Sequence, residues 1–225
     1  MTLFRRSLIA AVAAAMTVAA PALAQDAKPA DQAQTQPAGE QMPEGKMLPD
    51  IVLGKAEAPL TIVEYASFTC PHCAAFHAEN LPKLKAEYID TGKVKFIQRD
   101  VYFDAVGLWA GILARCGGDD KYYAVADMLF DEQKTWLDAK TGDEIAANLR
   151  KIGAKAGMTT EQMDACWADK QKVADLVHTF QTNATTDNVE GTPSFVIGGE
   201  KVSNQPWDDM KKVIDAKLAA AGSQG

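Results

Sequence analysis

The chain reads as an α/β protein whose two halves are separated by an all-helical insertion. Three observations lead there. A strand, helix, strand pattern occupies residues 60–101, only helical periodicity follows for roughly 80 residues, and a strand pattern returns at Ser194.

The N-terminus carries Arg5-Arg6, then the alanine-rich apolar run Leu8–Ala20, then Ala22-Leu23-Ala24. This is the layout of a secretory signal peptide, residues 1–24, with cleavage after Ala24. The apolar run is short for a membrane span. Arg5-Arg6 also leaves a twin-arginine route open. Residues 25–48, rich in Gln, Ala, Pro, Asp and Lys, hold too little apolar surface to order themselves and read as a flexible leader. About 175 residues remain, enough for one sizeable domain. A net charge of −7 without a basic stripe argues against a nucleic-acid or anionic-membrane partner. Export would place the four cysteines in an oxidising compartment, where an even count favours disulfides.

Leu60–Phe68 is dense in β-branched and aromatic residues and predicts a buried strand. A helix then opens at Cys70-Pro71-His72-Cys73 and carries Phe76, Leu81, Leu84 and Tyr88 at helical spacing. Pro71 suits a first helical turn, where a missing amide hydrogen costs nothing. Thr91-Gly92 stops the helix, and Lys93–Val101 is the second strand. Leu108–Arg115 and Tyr122–Phe130 are amphipathic helical stretches. Thr141–Glu144 and Thr159–Gln162 look like capping boxes opening two more, and a long helix covers about 171–182. Ser194–Ile197, the turn Gly198-Gly199 and a short strand at Val202 form a hairpin, followed by a last helix over about 207–221.

The chemistry concentrates at Cys70 and Cys73. A helix start presents unpaired N–H groups and the positive end of the helix dipole, so the Cys70 sulfur should be held as a thiolate of lowered pKa. Cys73, one turn in, should be the more buried, making Cys70 the attacking thiol and Cys73 the resolving one. His72 can add a hydrogen bond or positive charge to the thiolate. A zinc site of Cys70, Cys73 and His77, with Cys116 or Cys166 as fourth ligand, is the competing reading, but the second close pair typical of such sites is absent from the sequence. Glu64 sits within the first strand. It is either an edge-strand residue facing solvent or a buried carboxyl of raised pKa beneath Cys73 that takes its proton.

Glu64, the Cys70–Cys73 motif, the helical insertion and Gly191-Thr-Pro-Ser-Phe195 together resemble the DsbA-like thiol:disulfide oxidoreductases. That resemblance implies a thioredoxin fold over residues 49–103 and 184–225, with an inserted helical subdomain at 104–183. It also implies a cis bond at Thr192-Pro193, facing the dithiol and open to an extended substrate segment. The implied activity is periplasmic oxidation of exported polypeptides by a soluble, monomeric enzyme without cofactor or metal, reoxidised by a DsbB-type membrane protein. Rival readings are a disulfide isomerase or reductase on the same fold, and a non-enzymatic metal-binding or holdase protein. His77 stands where some members carry an acid, and with His178 reads as structural or surface. The remaining pair, Cys116 and Cys166, reads as a structural disulfide, or otherwise as two buried thiols. Trp109, Trp136 and Trp207 read as core.

Overall fold

The computed structural model describes residues 42–222; the expected signal peptide and most of the expected leader lie outside them. Among the described residues the sheet has five strands, ordered β1-β3-β2-β4-β5. These are β1 (Val52–Leu53), β2 (Leu60–Ala66), β3 (Val94–Asp100), β4 (Ser194–Ile197) and β5 (Glu200–Ser203). β2 runs parallel to β3 and antiparallel to β4, so it is the central strand. Glu64 pairs with Gln98 on one side and Phe195 on the other, which removes the edge-strand reading.

Alternation along β2 divides the core. Leu60 and Ile62 pack with Phe96, Phe195 and Ile197 under Phe76 of α1 (Pro71–Glu79) and Met210 and Ile214 of α9 (Trp207–Gly222). Val63 and Tyr65 face the other way, against Phe180 of α8 (Lys170–Thr186). Between β3 and β4 lie α3 (Ala105–Ala114), α4 (Asp119–Asp131), α5 (Gln133–Leu137), α6 (Gly142–Lys155), α7 (Thr160–Ala168) and α8. Leu113, Tyr122, Leu129, Trp136 and Leu149 of these helices form one cluster with Ala66, Phe68 and Cys73. The inserted helices therefore build a wall of the core around Cys73 itself.

Local chemistry explains most boundaries. The helix after the dithiol is broken into α1, α2 (Leu81–Leu84) and a π-helical turn at Lys85–Ile89. Pro82, lacking an N–H, cannot continue the ladder of α1. At its end Gly92, with φ of +76°, turns the chain, while its N–H donates to Ile89 O and that of Lys93 to Tyr88 O. Gly198 and Gly199 take φ of +57° and +82°, the conformation a tight β4–β5 hairpin needs. Thr159 and Gln162 form a complete capping box. Thr141 caps α6 through the Glu144 amide, but the Glu144 carboxylate closes on Lys140 N, one residue earlier than a capping box requires.

Two expectations need correction. The leader segment expected to run to residue 48 is already docked at 44–48. Lys46 N donates to Asp175 Oδ1 at 2.7 Å, Leu48 N donates to Thr179 Oγ1 at 2.9 Å, and Gln171 Nε2 donates to Glu44 O at 2.9 Å. The polar face of α8 satisfies this backbone, and Leu48 packs against Ile112, Cys166 and Leu176. A side chain at Gly45 would collide with the Ala174 carbonyl, so the close approach needs glycine. Of the three expected core tryptophans only Trp136 is fully buried, its indole N–H donating to Leu129 O at 2.7 Å. Trp109 and Trp207 are half-buried; Trp109 faces a cavity of about 310 Å³ shared with Trp167 and Arg150.

Candidate active site

Cys70 caps the N-terminus of α1 in extended conformation, φ −83° and ψ 118°, and Pro71 occupies the first helical turn. The loop that carries Cys70 is fixed at both ends. Its N–H donates to Ser67 O at 3.0 Å, and its carbonyl accepts from Ala74 N at 3.2 Å. A third restraint reaches in from the insertion, since the buried Gln133 amide donates to Phe68 O at 2.8 Å and to Cys70 O at 3.0 Å. Nothing in the sequence around Gln133 marks it, because its role depends on a contact across more than 60 positions.

Both thiols are free; Cys70 is half-buried and Cys73 wholly buried. The Thr192-Pro193 bond is cis, and the Cys70 sulfur lies 3.4 Å from Thr192 O. Cys70, Cys73, Thr192 and Pro193 are thus gathered at one helix end. The insertion disulfide lies elsewhere. It joins Cys116, just after α3, to Cys166 on α7, which leaves the zinc reading without its fourth ligand.

The two sulfurs have opposite electrostatics. Cys70 is pushed down to about 5, first by the hydrogen bond it accepts from the Cys73 thiol, then by the Thr192 side chain and the backbone N–H groups of Cys73 and His72, all against the cost of burial. Cys73 is pushed well above the ordinary thiol range, because its proton is held by Cys70, it is desolvated, and the Glu64 charge opposes its ionisation. His72 is exposed, and it acts on Cys70 through its amide N–H. The hydrogen bond expected of His72 thus comes from its backbone.

Glu64 is fully buried on the face of β2 that carries α1. His77, expected to be structural or at the surface, is buried beside it, with Nε2 and Oε2 sharing a hydrogen bond at 2.9 Å. The imidazole stacks on Phe130 at 4.0 Å between ring centroids. His178 lies exposed on α8.

A sequence model described as thioredoxin matches residues 46–216. A Rickettsia bellii protein, named provisionally as a protein-disulfide oxidoreductase, is 31% identical over 170 residues, which is 75% of this chain and 64% of the relative. The chain thus spans less than two thirds of the length of that relative. Disulfide bond formation protein D of Bacillus subtilis is 27% identical over 176 residues, covering 74% of this chain and 76% of its own length. Among solved structures, α-DsbA1 of Wolbachia pipientis superposes with a TM-score of 0.71 at 26% identity, over 80% of this chain and 96% of that one.

Proposed function

Because the chain belongs to the thioredoxin family, on its DsbA-like branch, we propose that it is a thiol:disulfide oxidase that passes the Cys70–Cys73 disulfide to exported polypeptides. The observation that carries this reading is the asymmetry of the two sulfurs. A Cys70 thiolate stabilised by several donors makes the reduced form favourable and the disulfide oxidising, and a thiol of low pKa is also a good leaving group.

In the oxidised protein a substrate thiolate attacks Cys70 Sγ. The Cys70–Cys73 bond breaks, its electron pair leaves on Cys73, and Cys73 takes a proton from Glu64. A second substrate thiolate then attacks the substrate sulfur of the mixed disulfide and expels the Cys70 thiolate. The substrate loses two electrons and the dithiol gains them. Cys73 must be protonated in one half of the cycle and deprotonated in the other, and it is sealed from water. Glu64, whose charge already acts on Cys73, is the group assigned here to exchange that proton. Thr192, half-buried beside Cys70, suits an extended substrate segment adding as a strand.

The signal-like N-terminus supports a periplasmic site of action, and no helix among the described residues is long and apolar enough to cross a membrane. A DsbB-type membrane protein then takes the electrons from the reduced dithiol. The purified chain, once oxidised, should oxidise a reduced two-cysteine peptide rapidly and reactivate scrambled ribonuclease poorly. Efficient reactivation with slow peptide oxidation would make it an isomerase instead.

A further inference from the structure

The exchange proposed above needs a proton to enter and leave a centre that has no contact with solvent. Cys73 and Glu64 are both fully buried. Glu64 Oε2 is bonded to His77, while Glu64 Oε1 and His77 Nδ1 have no hydrogen-bond partner among the described residues. Two unpaired polar atoms in a core are costly, and each calls for an explanation. His77 Nδ1 lies 4.0 Å from Oδ1 of Asp127 on α4, whose side chain is 58% exposed. A small rotation of that side chain closes the gap to hydrogen-bond distance. Phe130, which stacks on His77, and Asp131 line an open groove of about 360 Å³ between α1 and the start of α5.

We propose that His77 and Asp127 form the proton exit of the buried Cys73–Glu64 pair, so that the path runs from Cys73 through Glu64 and His77 to Asp127 and solvent. It rests on the thiol-exchange reading. When Cys73 attacks a mixed disulfide on Cys70, its sulfur forms the new S–S bond, the bond from Cys70 to the outgoing sulfur breaks, and that sulfur leaves as thiolate. The Cys73 proton moves to Glu64 Oε1 and cancels the carboxylate charge. A proton on His77 Nδ1 then loses the charge that held it, and passes to Asp127 and to water. The reverse half-reaction returns it by the same route, so the relay resets within each cycle. Stacking on Phe130 fixes the ring that bridges the two carboxylates. The groups facing this path are Cys73 and Tyr123 at Glu64, and Asp131 and Lys85 at Asp127. Asp127 is held above the ordinary carboxylate range by partial desolvation, with Asp131 adding to the rise and His77 and Lys85 opposing it. That brings it nearer the pH at which it can both accept and release a proton.

The test separates two steps by rapid mixing of the reduced full chain with oxidised glutathione, followed by acid quench and mass spectrometry. Capture of glutathione by Cys70 does not involve the relay. Resolution of the mixed disulfide by Cys73 does. Asp127→Ala should leave capture unchanged and slow resolution roughly tenfold in dilute buffer at about pH 6, and added imidazole should restore the rate. The unsubstituted chain should show no dependence on imidazole. His77→Gln, which retains an N–H for Glu64 but has no ring nitrogen facing Asp127, should slow resolution as well. Resolution at the unsubstituted rate in either variant, or an Asp127→Ala defect that imidazole does not relieve, would overturn the relay. Failure of the unsubstituted chain to resolve glutathione at all would overturn the exchange reading and the relay with it.

Discussion

Replacing Cys73 by alanine should raise the pH at which Cys70 becomes reactive by at least about one unit, because the largest influence holding Cys70 near 5 is the hydrogen bond from the Cys73 thiol. The Thr192 side chain and the His72 and position-73 amides remain in the variant, so the pH should stay below the ordinary thiol value. Iodoacetamide alkylation rates across pH measure this directly. In the unsubstituted reduced chain the midpoint should lie near 5. An unchanged midpoint in Cys73→Ala would show that the helix start alone stabilises the thiolate. The shift also carries a stability consequence. The folded value lies below the unfolded one, so the stabilisation is complete above about pH 9, and it is lost as pH falls through about 5. At pH 7 it contributes on the order of 1–2 kcal/mol to the reduced fold, after discounting for the half-exposed sulfur. The melting temperature of the reduced chain should therefore fall toward that of the oxidised chain as pH drops from about 7 to about 4.

A second large effect is expected in the insertion. The Cys116–Cys166 bond spans 50 positions and ties the end of α3 to α7. Closing a loop of that length restricts the unfolded chain by about 4 kcal/mol. The double variant Cys116→Ala/Cys166→Ala should then melt roughly 10 °C lower under non-reducing conditions. The pair should also survive mild dithiothreitol that reduces the Cys70–Cys73 bond, since structural disulfides have lower potentials than catalytic ones. A loss of no more than about 1–2 °C would mean that strain in the folded state cancels the entropic gain. Recovery of both cysteines as free thiols in a non-reduced digest would remove the bond from the account.

Legibility in the sequence followed the range of the interaction. β2, the start of α1 at Cys70-Pro71 and the Gly198-Gly199 turn are set by neighbours a few residues apart, and their types could be read from propensity and spacing. The two-residue β1 and the five-residue α5 are too short to display a period. Gln133 holds the Cys70 loop from 63 positions away, and only the fold reveals that contact. His77 is only partly legible, for a related reason. Its spacing on α1 says that it shares a face with Cys73, but not that a buried carboxylate from β2 and a carboxylate from α4 stand on either side of it. The thiol motif can be read locally, whereas the surroundings of Glu64 and His77 require the tertiary structure.

The central claim is that the reduced form is stabilised through Cys70, and equilibration of the purified mature chain with glutathione buffers of known ratio tests it most directly. The dithiol-to-disulfide fraction gives a reduction potential. The account predicts a value well above that of thioredoxin, at about −270 mV, and toward the strongly oxidising end of the thiol range near about −120 mV. A potential at or below about −270 mV would contradict it, leaving the fold and the dithiol in place but assigning them to reduction.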